Sequence, residues 1–244
     1  LTVPACLNIV VLSPLKIKVR SSPVLWVNED QIMDADGNPV RLRGVVFRNQ
    51  AQLDRLYPRL HHDEQDYIRL KELGFNSVRF YLHYNTLEND DLPGVYQEQG
   101  WNWIDDNIAW ARKHGIYLVL SMYSPPRGQE FSDEELDLWR SVSAQERFAA
   151  MWRSIAARYK DEETVAGYEL LSDPIVPESI DQWRDLAEKC AAEIRKVDPH
   201  HILFVQRVRA IKDNWRENDD RNFFLIGDKN AVYGFDFSKP FHFT

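Results

Sequence analysis

The sequence is poor in cysteine. Only Cys6 and Cys190 occur in 244 residues, so no disulfide framework can hold the fold. Cys190 lies in the helical run WRDLAEKCAAEIRKV and reads as a small buried hydrophobe. A Cys6–Cys190 bridge is left open by the sequence, and so is the redox compartment. No apolar run approaches the ~18 residues of a membrane span. Clustered positive charge is also missing. Net charge is −8 and the basic residues are scattered, which speaks against a nucleic-acid partner. No glycine-rich phosphate loop follows the first strand, and that argues against a dinucleotide cofactor. There is neither a starting Met nor a complete signal peptide. Val3-Pro4-Ala5-Cys6 is like a lipoprotein processing box, but the apolar stretch LNIVVL follows the cysteine instead of preceding it.

What is present is an alternation of strand and helix. With 44% hydrophobic residues, the chain suits one domain of α/β-barrel size or two small ones. Residues 1–23 stand apart, as the end of a preceding module or an added edge strand. From about residue 24 a hairpin is expected, turning at Asp36-Gly37-Asn38-Pro39, with a strand at 42–47. Residues 25–41 should cover the amino-terminal end of the sheet. Helices are expected at 62–73, 101–114, 144–159 and 179–197, the first two stopped by Gly74 and Gly115. Strands are expected at 76–82, 116–123, 165–171, 202–208 and 231–237. Helices between strands imply right-handed β-α-β units and a parallel sheet. The continuous apolar cores VVF, YLVL and ILFV suit strands covered on both faces.

One stretch points to chemistry. In FAAMWRSIAARYKDEETVAGYELLSDP, residues 148–174, a helix is followed by an apolar strand that stops at Ser172-Asp173-Pro174. An acid at the carboxyl end of a buried strand is how (β/α)8 barrels present a catalytic carboxylate. Asp-Pro is also ordinary turn chemistry.

Several motifs together resemble glycoside hydrolase family 5, the cellulase and β-glucanase group of (β/α)8 TIM-barrel type. They are DADGNPVRLRGV, LKELGFNSVRFYL, ARKHGIYLVLSMYSPPRGQ, WRSIAARYKDEETVAGYELLSDP, IRKVDPHHILFV and NAVYGFDFSKPFHFT. The resemblance covers roughly residues 28–244, about six β/α units after an N-terminal β-hairpin. It implies a secreted or cell-envelope protein acting on β-linked glucan or mannan. In that scheme Asp173 takes the acid/base position and Arg79 is the brace for the nucleophile. Tyr123, Ser172, Asp236 and Ser238 line the sugar cleft, with Gln129 in the loop after the third strand. No cofactor and no metal is implied.

The departures fall at strand ends. Val46, Tyr123, Ser172, Asp173 and Asp236-Phe237-Ser238 stand where the family carries Asn, His, Asn, Glu and His-x-Tyr. The chain reaches Thr244 before a seventh strand, where the family keeps its nucleophile. The resemblance therefore implies weak or impaired hydrolysis, with a companion chain or fragment as one source of the last strands. A non-catalytic glycan-binding protein is the alternative. Strands ~4.8 Å apart put the Asp173 and Asp236 carboxyls ~7–10 Å apart, which overlaps the spacing of an inverting pair. The plainer expectation for Asp236 is a solvated or arginine-paired acid at a strand end, with Arg79 or Arg207 as the partner.

Trp139, after SDEELDL, and Trp101 and Trp103, at a helix start, are candidates for sugar stacking, although core is the commoner role for aromatics. His61-His62 and His200-His201 lie at helix boundaries and do not suggest metal. Glu169 shares a strand face with Asp173 and is expected to be buried and paired with an Arg of a neighbouring strand.

Overall fold

The computed structural model describes residues 24–49, 62–128, 137–211 and 222–236. The chain opens with three short antiparallel strands, β1 (Trp26–Asn28), β2 (Gln31–Met33) and β3 (Pro39–Val40). The β2–β3 turn is closed by Asp34, whose carboxylate accepts the Asn38 backbone N–H at 2.8 Å.

A sheet of six parallel strands follows, ordered β11-β9-β7-β6-β5-β4. Its members are β4 (Gly44–Phe47), β5 (Ser77–His83), β6 (Tyr117–Ser124), β7 (Val165–Glu169), β9 (Ile202–Gln206) and β11 (Ala231–Gly234). Two further strands of two residues, β8 (Ile175–Val176) and β10 (Ala210–Ile211), pair with each other in parallel above the main sheet. No apolar period announces them.

Helices α1 (Glu64–Glu72), α3 (Glu98–His114), α5 (Val142–Tyr159) and α6 (Ile180–Arg195) connect the sheet strands, with the one-turn α2 (Tyr84–Leu87) and α4 (Asp137–Arg140) between them. Local chemistry sets their ends. Asp63 and Asp66 form a capping box at the start of α1. Gly115 adopts a left-handed conformation (φ 63°) after α3, which costs glycine little. The helices expected at 62–73 and 101–114 are therefore shifted at their starts to Glu64 and Glu98.

Side chains alternate across the strands. Val78, Phe80 and Leu82 of β5 and Leu118, Leu120 and Met122 of β6 pack outward against the helices in the main core. Toward the amino-terminal ends, Val119, Ala166 and Ile202 form a second apolar cluster. Leu25, Val27, Ile32 and Val40 of the hairpin plug it, so the hairpin covers the bottom of the sheet. Val27 N–H also donates to Asn230 Oδ1 at 2.8 Å, just before β11.

A register shift at the start of β7 pairs Leu118 with Val165 but Val119 with Gly167. This bulge resets the alternation, so Tyr168 enters the outer core while Glu169 faces inward. Gly167 is required there, because a Cβ would lie 2.2 Å from the Ile202 carbonyl oxygen. Cys190 is a free, buried thiol on α6. Its expected alternative partner, Cys6, lies outside the described residues.

Candidate active site

Period-two alternation on β5 puts Arg79, Tyr81 and His83 on the inner face, rising toward the carboxyl end. Arg79 organises what lies there. Its Nε donates to Glu169 Oε2 at 2.6 Å and its Nη2 to Glu169 Oε1 at 2.5 Å, a bidentate pair. Nη2 also donates to Ser172 Oγ at 2.9 Å, and Nη1 to Asp236 Oδ1 at 3.1 Å. The Ser172 hydroxyl donates to Tyr81 Oη at 3.2 Å. Tyr81 stacks on Tyr123, with ring centroids 4.7 Å apart, and the His83 ring is tilted against Tyr123 at 5.5 Å. Arg79, Tyr123, Ser172, Asp173 and Asp236 thus meet at one place, the carboxyl ends of the parallel strands.

Glu169 is buried, with only 2% of its side chain exposed. Its partner lies on β5, with β6 between, so the pair spans the barrel interior. The expected pairing with an adjacent strand is corrected accordingly.

Asp173 follows β7 and has a left-handed backbone, φ 49°. Its Oδ2 lies 3.2 Å from Arg209 Nη1. Asp236 lies two residues beyond β11 rather than at the strand's last position. The two aspartates are in side-chain hydrogen-bond contact, so the ~7–10 Å expected from flat strand spacing is wrong. The sheet is curved, and side chains that point inward from strand ends converge.

The contact splits the two acids. Burial, then the hydrogen bond and negative charge of Asp236, push Asp173 up to about 7. Burial acts to raise Asp236 as well, but the Asp173 hydrogen bond and the Arg79 charge outweigh it and hold that acid below its usual value. Two like charges in contact disfavour double ionisation, so Asp173 is the raised member of the pair and Asp236 the lowered one. Burial lowers the His83 imidazole and keeps it neutral. Its ring nitrogens lie 3.0 Å from Ser124 Oγ and 3.3 Å from the Arg48 carbonyl. Burial likewise raises the Tyr81 phenol.

Other expected site residues fall elsewhere. Gln129 and Ser238 lie outside the described residues. Trp139 is 4% exposed and packs edge-on against Trp183 at 6.4 Å, so it belongs to the core and not to a sugar cleft. Trp101 is buried against Tyr159 and Tyr96. Trp103 packs on Phe80, 4.9 Å between centroids. Arg207 lies over the rings of Phe223 and Phe235, 5.7 Å from each, and Arg79 is the arginine that pairs with Asp236.

Sequence reasoning missed Tyr81, His83, Asn49 and Arg209. The first two carried a signal, since they follow Arg79 at two-residue intervals. Asn49 is buried in a left-handed conformation, φ 50°, and its Nδ2 donates to the Tyr81 carbonyl at 2.7 Å. No hydrogen-bonding partner reaches its Oδ1 among the described residues. Among those residues there is no cluster of three or more potential metal ligands. No helix among them is long and apolar enough to cross a membrane.

Comparison with known proteins places this cleft in context. The profile of the cellulase family (glycosyl hydrolase family 5) matches residues 33–244. Endoglucanase C of Acetivibrio thermocellus is 34% identical over 74% of this chain and 51% of its own length. A β-xylosidase of Phanerodontia chrysosporium is 29% identical over 74% of this chain and 45% of its own length. The chain thus spans about half the length of the curated relatives it matches. Among solved structures, endo-glycoceramidase II from Rhodococcus sp. in its ganglioside GM3 complex superposes with a TM-score of 0.72. The match covers 85% of this chain and 58% of that one at 18% identity. Cel5A of Thermotoga maritima superposes at 0.66, covering 81% and 60% at 22% identity. These neighbours share the (β/α)8 barrel, of which the described residues form the six parallel strands.

Proposed function

Because the chain belongs to glycosyl hydrolase family 5, we propose that its strand-end cleft takes β-linked glucan- or mannan-type polysaccharide, with Asp173 as the proton donor of a feeble glycosidase. The observation that carries this reading is the contact of Asp173, in the turn just beyond β7, with Asp236, which pushes Asp173 up to about 7 while Arg79 holds Asp236 low. A general acid for glycoside cleavage must hold a proton near neutrality while a neighbouring carboxylate stays charged. Half-buried Tyr123, backed by the buried Tyr81, supplies an aromatic ring beside it, suited to the apolar side of a sugar ring. A polysaccharide too large to cross a membrane places the working protein outside the cytoplasm, secreted or in the cell envelope.

Two features support low turnover. An aspartate in place of glutamate withdraws the acid by one methylene, and a misplacement of ~1 Å can cost ~100-fold in rate. Asp173 and Asp236 also touch, whereas a retaining pair stands ~5–5.5 Å apart and an inverting pair ~6.5–9.5 Å apart. That closer approach favours the second reading, a glycan-binding protein without catalysis.

The test is hydrolysis of soluble β-glucan, β-mannan and aryl β-cellobiosides by the parent and Asp173→Asn. A proton donor assists poor leaving groups most. The variant should lose ~10²–10⁴-fold on glucan and far less on a dinitrophenyl glycoside. Equal loss on both substrates, or no loss, overturns the proton-donor role. No turnover by the parent, with saturable oligosaccharide binding weakened by Tyr123→Ala, establishes the binding-protein reading instead.

A further inference from the structure

After β7 the chain does not leave the sheet at once. Residues 175–176 and 210–211 form the two-rung parallel β8–β10 ladder, and Arg209 N–H donates to the Pro174 carbonyl at 2.8 Å. The segments following two different sheet strands are therefore tied together directly over the cleft. The tie sets Arg209 Nη1 3.2 Å from Asp173 Oδ2. Asp173 also meets Asp236, on which the Arg209 charge acts too.

A glycosidic proton donor works in both directions. Its proton goes to the leaving oxygen as the bond to the anomeric carbon breaks. Water adds to the anomeric carbon and gives up a proton, and the carboxylate left behind must regain one before the next turnover. One neighbour suits each form of Asp173. A carboxylate partner accepts the hydrogen bond of the protonated form, and a cation stabilises the ionised form.

We propose that Arg209 is a positioning residue for Asp173, holding the carboxylate formed after proton transfer, while Asp236 holds the acid form. This rests on the reading of Asp173 as proton donor. The other charged or titratable groups that act with Asp173 are Arg79 and Tyr81 from β5. The Arg79 guanidinium already engages Glu169, Ser172 and Asp236. The Asp173–Arg209 contact is the ion pair that the acid itself makes among the described residues. Half of the Arg209 side chain, 49%, faces solvent, so its substitution need not disturb the core.

The experiment follows the Asp173 carboxyl carbon by NMR titration of the full chain, with Asp173→Asn assigning the signal. Arg209→Met and Arg209→Gln should each raise the Asp173 midpoint by about one pH unit, the lower end of the effect of an adjacent opposite charge. Arg209→Lys should restore most of it. On soluble β-glucan the alkaline limb of kcat/KM should move up with the midpoint, and kcat should fall more than KM changes. A midpoint unmoved in both Met and Gln variants, with far-UV spectra matching the parent, overturns the proposal. So does a Lys variant that restores nothing. If one neutral variant fails to fold, the other and the Lys variant still decide. A moved midpoint in a parent that turns over no glycoside overturns the proton-donor reading, and that result is distinct from an unmoved midpoint in an active parent.

Discussion

Substituting Arg79 tests whether the cleft is held together by one buried charge pair. In Arg79→Met the apolar stem of the arginine is kept and its guanidinium is lost. Glu169 is then a carboxylate with 2% of its side chain exposed and no cation beside it. Breaking a buried pair by removing one partner costs ~3–5 kcal/mol, because the remaining charge is desolvated without compensation. Asp236 loses the same partner but is 44% exposed and can turn to water, so it adds little. At ~2–4 °C per kcal/mol for a protein of this size, melting should fall by roughly 6–20 °C.

The double variant Arg79→Met/Glu169→Leu should recover most of that loss, since no unpaired charge remains. Urea denaturation of parent, single and double variants at neutral pH measures both effects. A single variant within ~1 kcal/mol of the parent, or a double variant as unstable as the single, refutes a buried pair holding the cleft.

Other expected outcomes follow from the same geometry. Asp173 is raised to about 7 from 3.8, so its contribution is present below 3.8 and is lost as pH rises through 7, at most about 1.4 kcal/mol per pH unit. Asp173→Asn should flatten that slope in denaturation series between pH 4 and 7, and an unchanged slope would mean that the proton sits elsewhere. Asp198 is lowered to about 2. Burial opposes this shift, but His201 at 2.6 Å and Tyr168 at 2.7 Å outweigh it. Its stabilisation is present above 3.8 and lost as pH falls through 2. Asp198→Asn should cost ~1–3 kcal/mol at pH 6 and remove that acid transition, whereas retention of the transition would assign it to another group. Gly167→Ala must part β7 from β9 to clear the Ile202 carbonyl. It should destabilise by about 1–3 kcal/mol, and an unshifted urea midpoint would show that the bulge has room.

The fold was legible because its signals are local, while the site depends on how distant segments are brought together. Strands such as YLVL and ILFV announce themselves by continuous apolarity, and Gly74 and Gly115 mark helix ends without reference to anything distant. Arg79, Tyr81 and His83 also had a local signal, a polar set at period two inside an apolar strand, whose inner placement fits a barrel. Trp139 misled because an aromatic after an acidic stretch resembles a loop tip, yet the one-turn helix α4 that carries it turns it onto Trp183. Asp173 and Asp236 could each be placed at a strand end. Their distance could not, because strand spacing counts hydrogen-bonding rungs along a flat sheet, and a sheet that curves toward closure shortens every inward separation. Arg209 had no local signal at all. It reaches Asp173 only because Pro174 and the β8–β10 ladder fold one loop onto another, and a two-residue strand is too short to show a period. Residues that set a barrel's chemistry from its loops are therefore the ones a strand-by-strand reading overlooks, and Arg209 is where such a reading of this chain is incomplete.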